Sequence, residues 1–148
     1  MKISLKSKSS ADTFELGKKL ALQLTPGTVV ILTGELGAGK TTFTQGIAAG
    51  LGIEKQVTSP TFVIAKNYET KSGHSFIHID AYRLGDISDI ADLDLDTQID
   101  TGIVVAEWGE GFLENLGTTI NVKLDILDDT TRLITITSDA INGESLEL

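Results

Sequence analysis

Gly34, Gly39, Lys40 and Thr41 fit the pattern glycine, four variable residues, glycine, lysine, then serine or threonine. In such a loop the backbone N–H groups and the N-terminus of the following helix surround phosphate oxygens. The lysine reaches the outer phosphates and the hydroxyl binds magnesium. Glycine matters because a Cβ hinders close approach of the main chain to the anion. A loop that holds phosphate and magnesium also needs acidic groups near the metal, and ligands of open α/β sheets sit beyond the carboxyl ends of strands. Asp80 ends the apolar run "FIHID" and Glu107 ends "IVVAE". Both can face Thr41 across the top of a sheet, one holding magnesium directly or through water and the other orienting an attacking water. Sequence does not divide those roles between them.

Other residues invite chemical readings that their surroundings do not support. "DLDLDT", from Asp92, imitates the start of a calcium loop, but Thr97 occupies the position of the sharp-turn glycine and Ile103 that of the closing glutamate. It reads as a solvated acidic helix or loop. His78 lies mid-strand without metal-ligand spacing to His74, which favours a structural histidine. Trp108 reads as packing, although its place beside Glu107 sets it near the site. Neither a guanine-reading NKxD element nor a DxxG switch occurs, so adenine is the expected base. Small-molecule kinases clamp the transferring phosphate with several arginines. This chain has two, Arg83 and Arg132, which favours a slow ATPase completed by a partner over a self-sufficient kinase, the alternative use of the same loop.

These groups need a frame. "TVVILT" before the loop is β-branched and apolar on both faces, as expected of a central parallel strand covered by helices on each side. "KTTFTQGIAAGL" reads as a helix starting at Lys40, with Phe43, Ile47 and Leu51 on one side and Gly52 as its stop. An earlier helix opens at "SSAD", with Ser9 or Ser10 as N-cap and Leu16, Leu20, Ala21 and Leu24 as its apolar side. "TFVIAKNYE" and "SFIHID" flank the reversal "TKSGH" and predict an antiparallel hairpin, as do "TINVKLDIL" and "RLITIT" around "DDTT". "GIVVAEW" is a second buried strand. The fold class is α/β, with a mixed parallel and antiparallel sheet flanked by helices.

The 148 residues suit one domain, 1–148, with about 141–148 as a polar tail. Hydrophobic residues at 41% and charged residues at 22% describe a globular chain. The absence of cysteine excludes a disulfide framework, a thiolate metal site and a cysteine nucleophile, and accords with the cytoplasm. Neither a signal peptide nor a membrane span is expected. A net charge of −9 argues against direct, unaided binding to RNA or DNA, which draws its affinity from lysine and arginine.

Taken in order, "GELGAGKTTFTQGIAAGLGI", "VTSPTFVIAKNYE", "HIDAYRL" and "VVAEWGE" resemble the successive motifs of the TsaE family, the ATPase component of the bacterial machinery for threonylcarbamoyladenosine on tRNA. SPTF and HxDxYR discriminate far better than the phosphate loop, which many families share. The resemblance implies a three-layer P-loop NTPase fold, ATP and magnesium (Mg2+) as cofactors, weak ATPase activity alone, and association with TsaD and TsaB subunits in the cytoplasm, with tRNA reached only through those partners. It assigns nucleotide contacts to Glu35, Leu36, Gly37, Ala38, Gly39, Lys40, Thr41 and Thr42, magnesium to Thr41 and Glu107, and a catalytic or metal-organising role to Asp80. It places Thr13 and Arg132 near the adenine. It makes Thr58, Ser59 and Thr61 sensors of the outer phosphate, beside the alternative that Pro60 only shapes the chain there. Gly109 stands where the family has proline, which loosens the chain after Glu107.

Overall fold

The computed structural model describes residues 1–35, 37–54, 57, 65–80, 95–107, 116–138 and 146. Within them the chain runs β1 (Lys2–Ser7), α1 (Ser10–Ala21), β2 (Thr28–Gly34), α2 (Lys40–Gly50), β3 (Ala65–Glu69), β4 (Ser75–Asp80), α3 (Leu95–Gln98), a 3-10 turn (Ile99–Thr101), β5 (Gly102–Glu107), β6 (Thr118–Ile126) and β7 (Arg132–Thr137). One seven-stranded sheet has the order β1-β7-β6-β2-β5-β4-β3. Strand β2 is its centre, parallel to β5 on one side and to β6 on the other. That position explains why Val29, Val30, Ile31 and Leu32 are all fully buried: both faces of a central strand are covered, so no polar alternation survives.

Both expected hairpins form. β3 pairs antiparallel with β4, and β6 with β7. In β6 and β7 the alternation is resolved as read from the sequence, with Val122, Leu124, Ile134 and Ile136 buried and Asn121, Lys123 and Thr137 exposed. Strand β1, however, was not expected. It is an edge strand whose only apolar contribution is Ile3 and Leu5, and it exists because β7 offers an antiparallel partner from Lys2↔Thr137 to Ser7↔Arg132. Long-range pairing supplies what two apolar residues cannot.

Helices α1 and α2 cover one face of the sheet with Leu16, Leu20, Phe43 and Ile47. The other face receives Leu95 of α3 and Ile99 of the 3-10 turn against Val29, Ile31, Ile77 and Val104. The expected layering is thus present; of the run from Asp92 read as solvated, residues 92–94 lie outside the described residues, and Leu95 of α3, a single turn, is buried. Ser9, not Ser10, is the N-cap of α1: its hydroxyl accepts from the Asp12 backbone N–H at 3.1 Å, and Asp12 Oδ2 accepts from the Lys8 N–H at 3.0 Å.

Glycines set the depth of α2. A Cβ on Gly46 would strike the Phe14 carbonyl of α1, and one on Gly17 the Phe43 carbonyl of α2, so the helices cross at backbone distance. Because α2 begins at Lys40, this crossing also sets the height of the glycine loop over the sheet. At the far end of the chain, Leu146 is fully buried in the principal core. Leu146, within the span read as a polar tail, is thus an apolar anchor, a role that one leucine among polar neighbours does not announce.

Candidate functional site

Strand β2 runs out of the core directly into the glycine loop. Ala38 N–H donates to the Glu35 carbonyl at 3.0 Å, closing the turn, and Phe43 N–H donates to the Gly39 carbonyl at 2.9 Å, starting α2. Gly37 and Gly39 take φ of +82° and +104°, where a side chain is strained. Gly34 has a different constraint, since a Cβ there would lie 2.6 Å from the Leu124 carbonyl of β6. The glycines are thus required by the loop's own path and by the neighbouring strand, in addition to any approach of phosphate.

Lys40 is 7% exposed, and its Nζ donates to the carbonyls of Gly34 at 2.7 Å and Glu35 at 3.0 Å. The ammonium is held in the mouth of the loop. Burial lowers its pKa from the usual lysine value, opposed by the charges of Glu107 and then Asp80. Glu35, itself exposed, contributes its carbonyl rather than its carboxylate.

Parallel register brings the two strand-end acids together. Asp80 of β4 is opposite Glu107 of β5, and Leu32 of β2 is opposite Glu107, so the carboxylates stand side by side next to the start of the loop. Thr41 Oγ1 donates to Glu107 Oε1 at 3.4 Å, and His78 Nε2 lies 3.8 Å from Glu107 Oε2. Glu107 therefore meets the loop's hydroxyl, the pairing that the family resemblance implies. Its pKa is raised, first by burial and then by Asp80, against the opposing pull of Lys40 and the Thr41 hydrogen bond. A threonine hydroxyl and carboxylate oxygens are hard donors of the kind magnesium takes, which binds through one or two carboxylates plus phosphate oxygens. The set fits a metal held jointly with a nucleotide; among the described residues no group of three or more His, Cys, Asp or Glu forms a self-sufficient metal cage.

On the outer side of the loop lies a cavity of about 370 Å³ lined by Thr13, Gly37, Ala38, Gly39, Thr42 and Arg132. The residues expected near a base are thus gathered in one place. Thr13 is held by a 2.6 Å hydroxyl contact to Ser7 Oγ. Arg132 is a strut: its guanidinium donates to the carbonyls of Asp128 at 2.7 Å, Thr131 at 3.1 Å and, across the cavity, Gly37 at 3.3 Å. Asp129 and Thr130 line the same cavity and were not read from sequence as site residues. Their signal was the turn "DDTT", where Asp128 Oδ1 accepts from Thr130 and Thr131 N–H at 3.0 and 2.8 Å, but turn chemistry says nothing of what faces it across space. Leu36, Thr58, Ser59, Thr61, Arg83, Trp108 and Gly109 lie outside the described residues.

The sequence model of the family described as threonylcarbamoyl adenosine biosynthesis protein TsaE matches residues 7–134. Among relatives described as tRNA threonylcarbamoyladenosine biosynthesis protein TsaE, that of Streptomyces coelicolor is 51% identical over 69% of this chain and 70% of its own. That of Treponema pallidum is 39% identical over 88% of this chain and 96% of its own. The crystal structure of Bacillus subtilis YdiB superposes with a TM-score of 0.72 at 31% identity, covering 99% of this chain and 91% of that one.

Proposed function

The chain belongs to the TsaE family, whose members act in threonylcarbamoyladenosine biosynthesis on tRNA, and on that premise we propose that it is a magnesium-dependent ATPase working as a nucleotide switch on a TsaD–TsaB assembly. One observation carries the reading: Lys40, Thr41 and Glu107 meet where β2 leaves the sheet, beside a cavity bounded by Thr13 and Arg132.

Main-chain N–H groups from Glu35 to Thr42 enclose the phosphates, and Lys40 exchanges its two carbonyl partners for an outer phosphate oxygen. Thr41 and Glu107, with Asp80 adjacent, would hold magnesium, which would supply neutralisation of the phosphates' charge. Asp80 orients the attacking water. The base occupies the cavity between α1 and the β6–β7 turn. Because Arg132 is engaged with three carbonyls and only Arg83 remains, the clamp on the transferred phosphoryl group is thin, which supports slow hydrolysis alone and stimulation by partners.

Thr58, Ser59 and Thr61 sense the outer phosphate; in support, Gln45 Nε2 of α2 donates to the carbonyl of buried Val57, just ahead of them, at 2.8 Å. The acidic surface leaves tRNA contact to TsaD and TsaB, in the cytoplasm. Among the described residues no helix is long and apolar enough to cross a membrane. Threonylcarbamoyl transfer to tRNA, reconstituted with TsaD and TsaB through many turnovers, should rise with this chain and ATP present; equal yields without it defeat the switch role.

A further inference from the structure

His78 is a fully buried imidazole in an otherwise apolar layer. Strand alternation puts Phe76, His78 and Asp80 of β4 on the face covered by α1 and α2; on β5, Ile103, Val105 and Glu107 share it. In register His78 is opposite Val105, two positions behind the Asp80–Glu107 pair. An aliphatic side chain would fill that place without the cost of burying polar nitrogens, so packing alone does not account for histidine there.

The two oxygens of Glu107 face two different neighbours. Oε1 accepts from Thr41 Oγ1 at 3.4 Å, while Oε2 lies 3.8 Å from His78 Nε2. The carboxylate is thus bracketed between the helix that carries the phosphate loop and the strand that carries Asp80. We infer that His78 is a positioning residue for Glu107: its ring N–H draws Oε2 back toward the sheet and leaves Oε1 presented, with the Thr41 hydroxyl, to a divalent cation. This rests on the magnesium-nucleotide reading of the site. At 3.8 Å the two atoms lie beyond hydrogen-bond length, and a shift of about 1 Å completes an N–H···O bond. Such outer partners hold a metal ligand in one orientation, and losing them typically weakens the metal by roughly ten- to a hundredfold.

Calorimetric titration of ADP, in EDTA and then across a range of magnesium concentrations, tests this on wild type, His78→Phe and His78→Gln. The phenylalanine variant should bind ADP in EDTA as wild type does, yet need about tenfold more magnesium for the metal-dependent gain. Glutamine, which restores an N–H donor, should recover most of the loss. A His78→Phe curve that coincides with wild type overturns the inference, as does a glutamine variant no better than phenylalanine. Wild type that binds ADP equally with and without magnesium overturns the site reading itself, a distinct result. Nitrogen NMR of the unsubstituted protein needs no variant to fold: the His78 ring should carry its proton on Nε2 and shift when magnesium joins ADP, and an unprotonated, unmoved Nε2 overturns the role.

Discussion

Lys40→Met removes the ammonium and keeps the buried apolar stem, so it isolates what the charge does. Two opposed effects act on stability. The variant loses charge-assisted bonds to the Gly34 and Glu35 carbonyls at 2.7 and 3.0 Å. It also sheds a buried charge whose desolvation outweighs the attraction of Glu107 and Asp80, since the lysine pKa is lowered despite them. These terms oppose, and stability should change by no more than about 1 kcal/mol, a melting-temperature shift of roughly 2–4 °C at this length. Nucleotide binding has no such compensation. Because Nζ already has carbonyl partners, a phosphate oxygen adds only the excess of an anionic acceptor over a neutral one, on the order of 1.5–3 kcal/mol. Magnesium-ATP affinity should therefore fall roughly ten- to two-hundredfold by calorimetry, with parallel thermal melts as the control. Affinity within about threefold of wild type refutes the phosphate role; a melting temperature lowered by more than about 10 °C makes the lysine chiefly a structural strut.

Glu107→Gln should abolish magnesium-dependent hydrolysis while raising thermal stability near neutral pH. The sign follows from its raised pKa: the ionised form is penalised in the fold, so the cost is absent below the ordinary carboxylate range and grows as pH rises through the raised value. Melts at about pH 4 and pH 8 should show the variant's advantage only at the higher pH, and an advantage at both rejects the electrostatic cause. Gly46→Ala should destabilise, because striking the Phe14 backbone costs about 1–3 kcal/mol and more than offsets a helix-propensity gain of about 1 kcal/mol; an unchanged or higher melting temperature shows that the helices part freely. Ser9→Ala removes the cap of α1 and should cost about 1 kcal/mol, read as a lower melting temperature, and no change excludes the hydroxyl as cap.

Local sequence carried a great deal. The helix beginning at Lys40, the run through Val29–Leu32 and both hairpins were legible because each is signalled by residues adjacent in the chain: a cap, a glycine stop, a period of two, a turn. The glycine loop between β2 and α2 was legible for the same reason, since its turn is made by consecutive residues. What could not be read was anything assembled across the sheet. That Glu107 meets Thr41 depends on the Leu32↔Glu107 register, and the contact of His78 with Glu107 on which strand faces coincide. That Arg132 braces Gly37 depends on where β7 lies, and β1 owes its existence to that same strand. Motif and periodicity are properties of a few neighbouring residues, whereas these contacts join groups far apart in the chain, 95 positions for Arg132 and Gly37, and arise only once burial of the β2 core fixes which strands lie side by side.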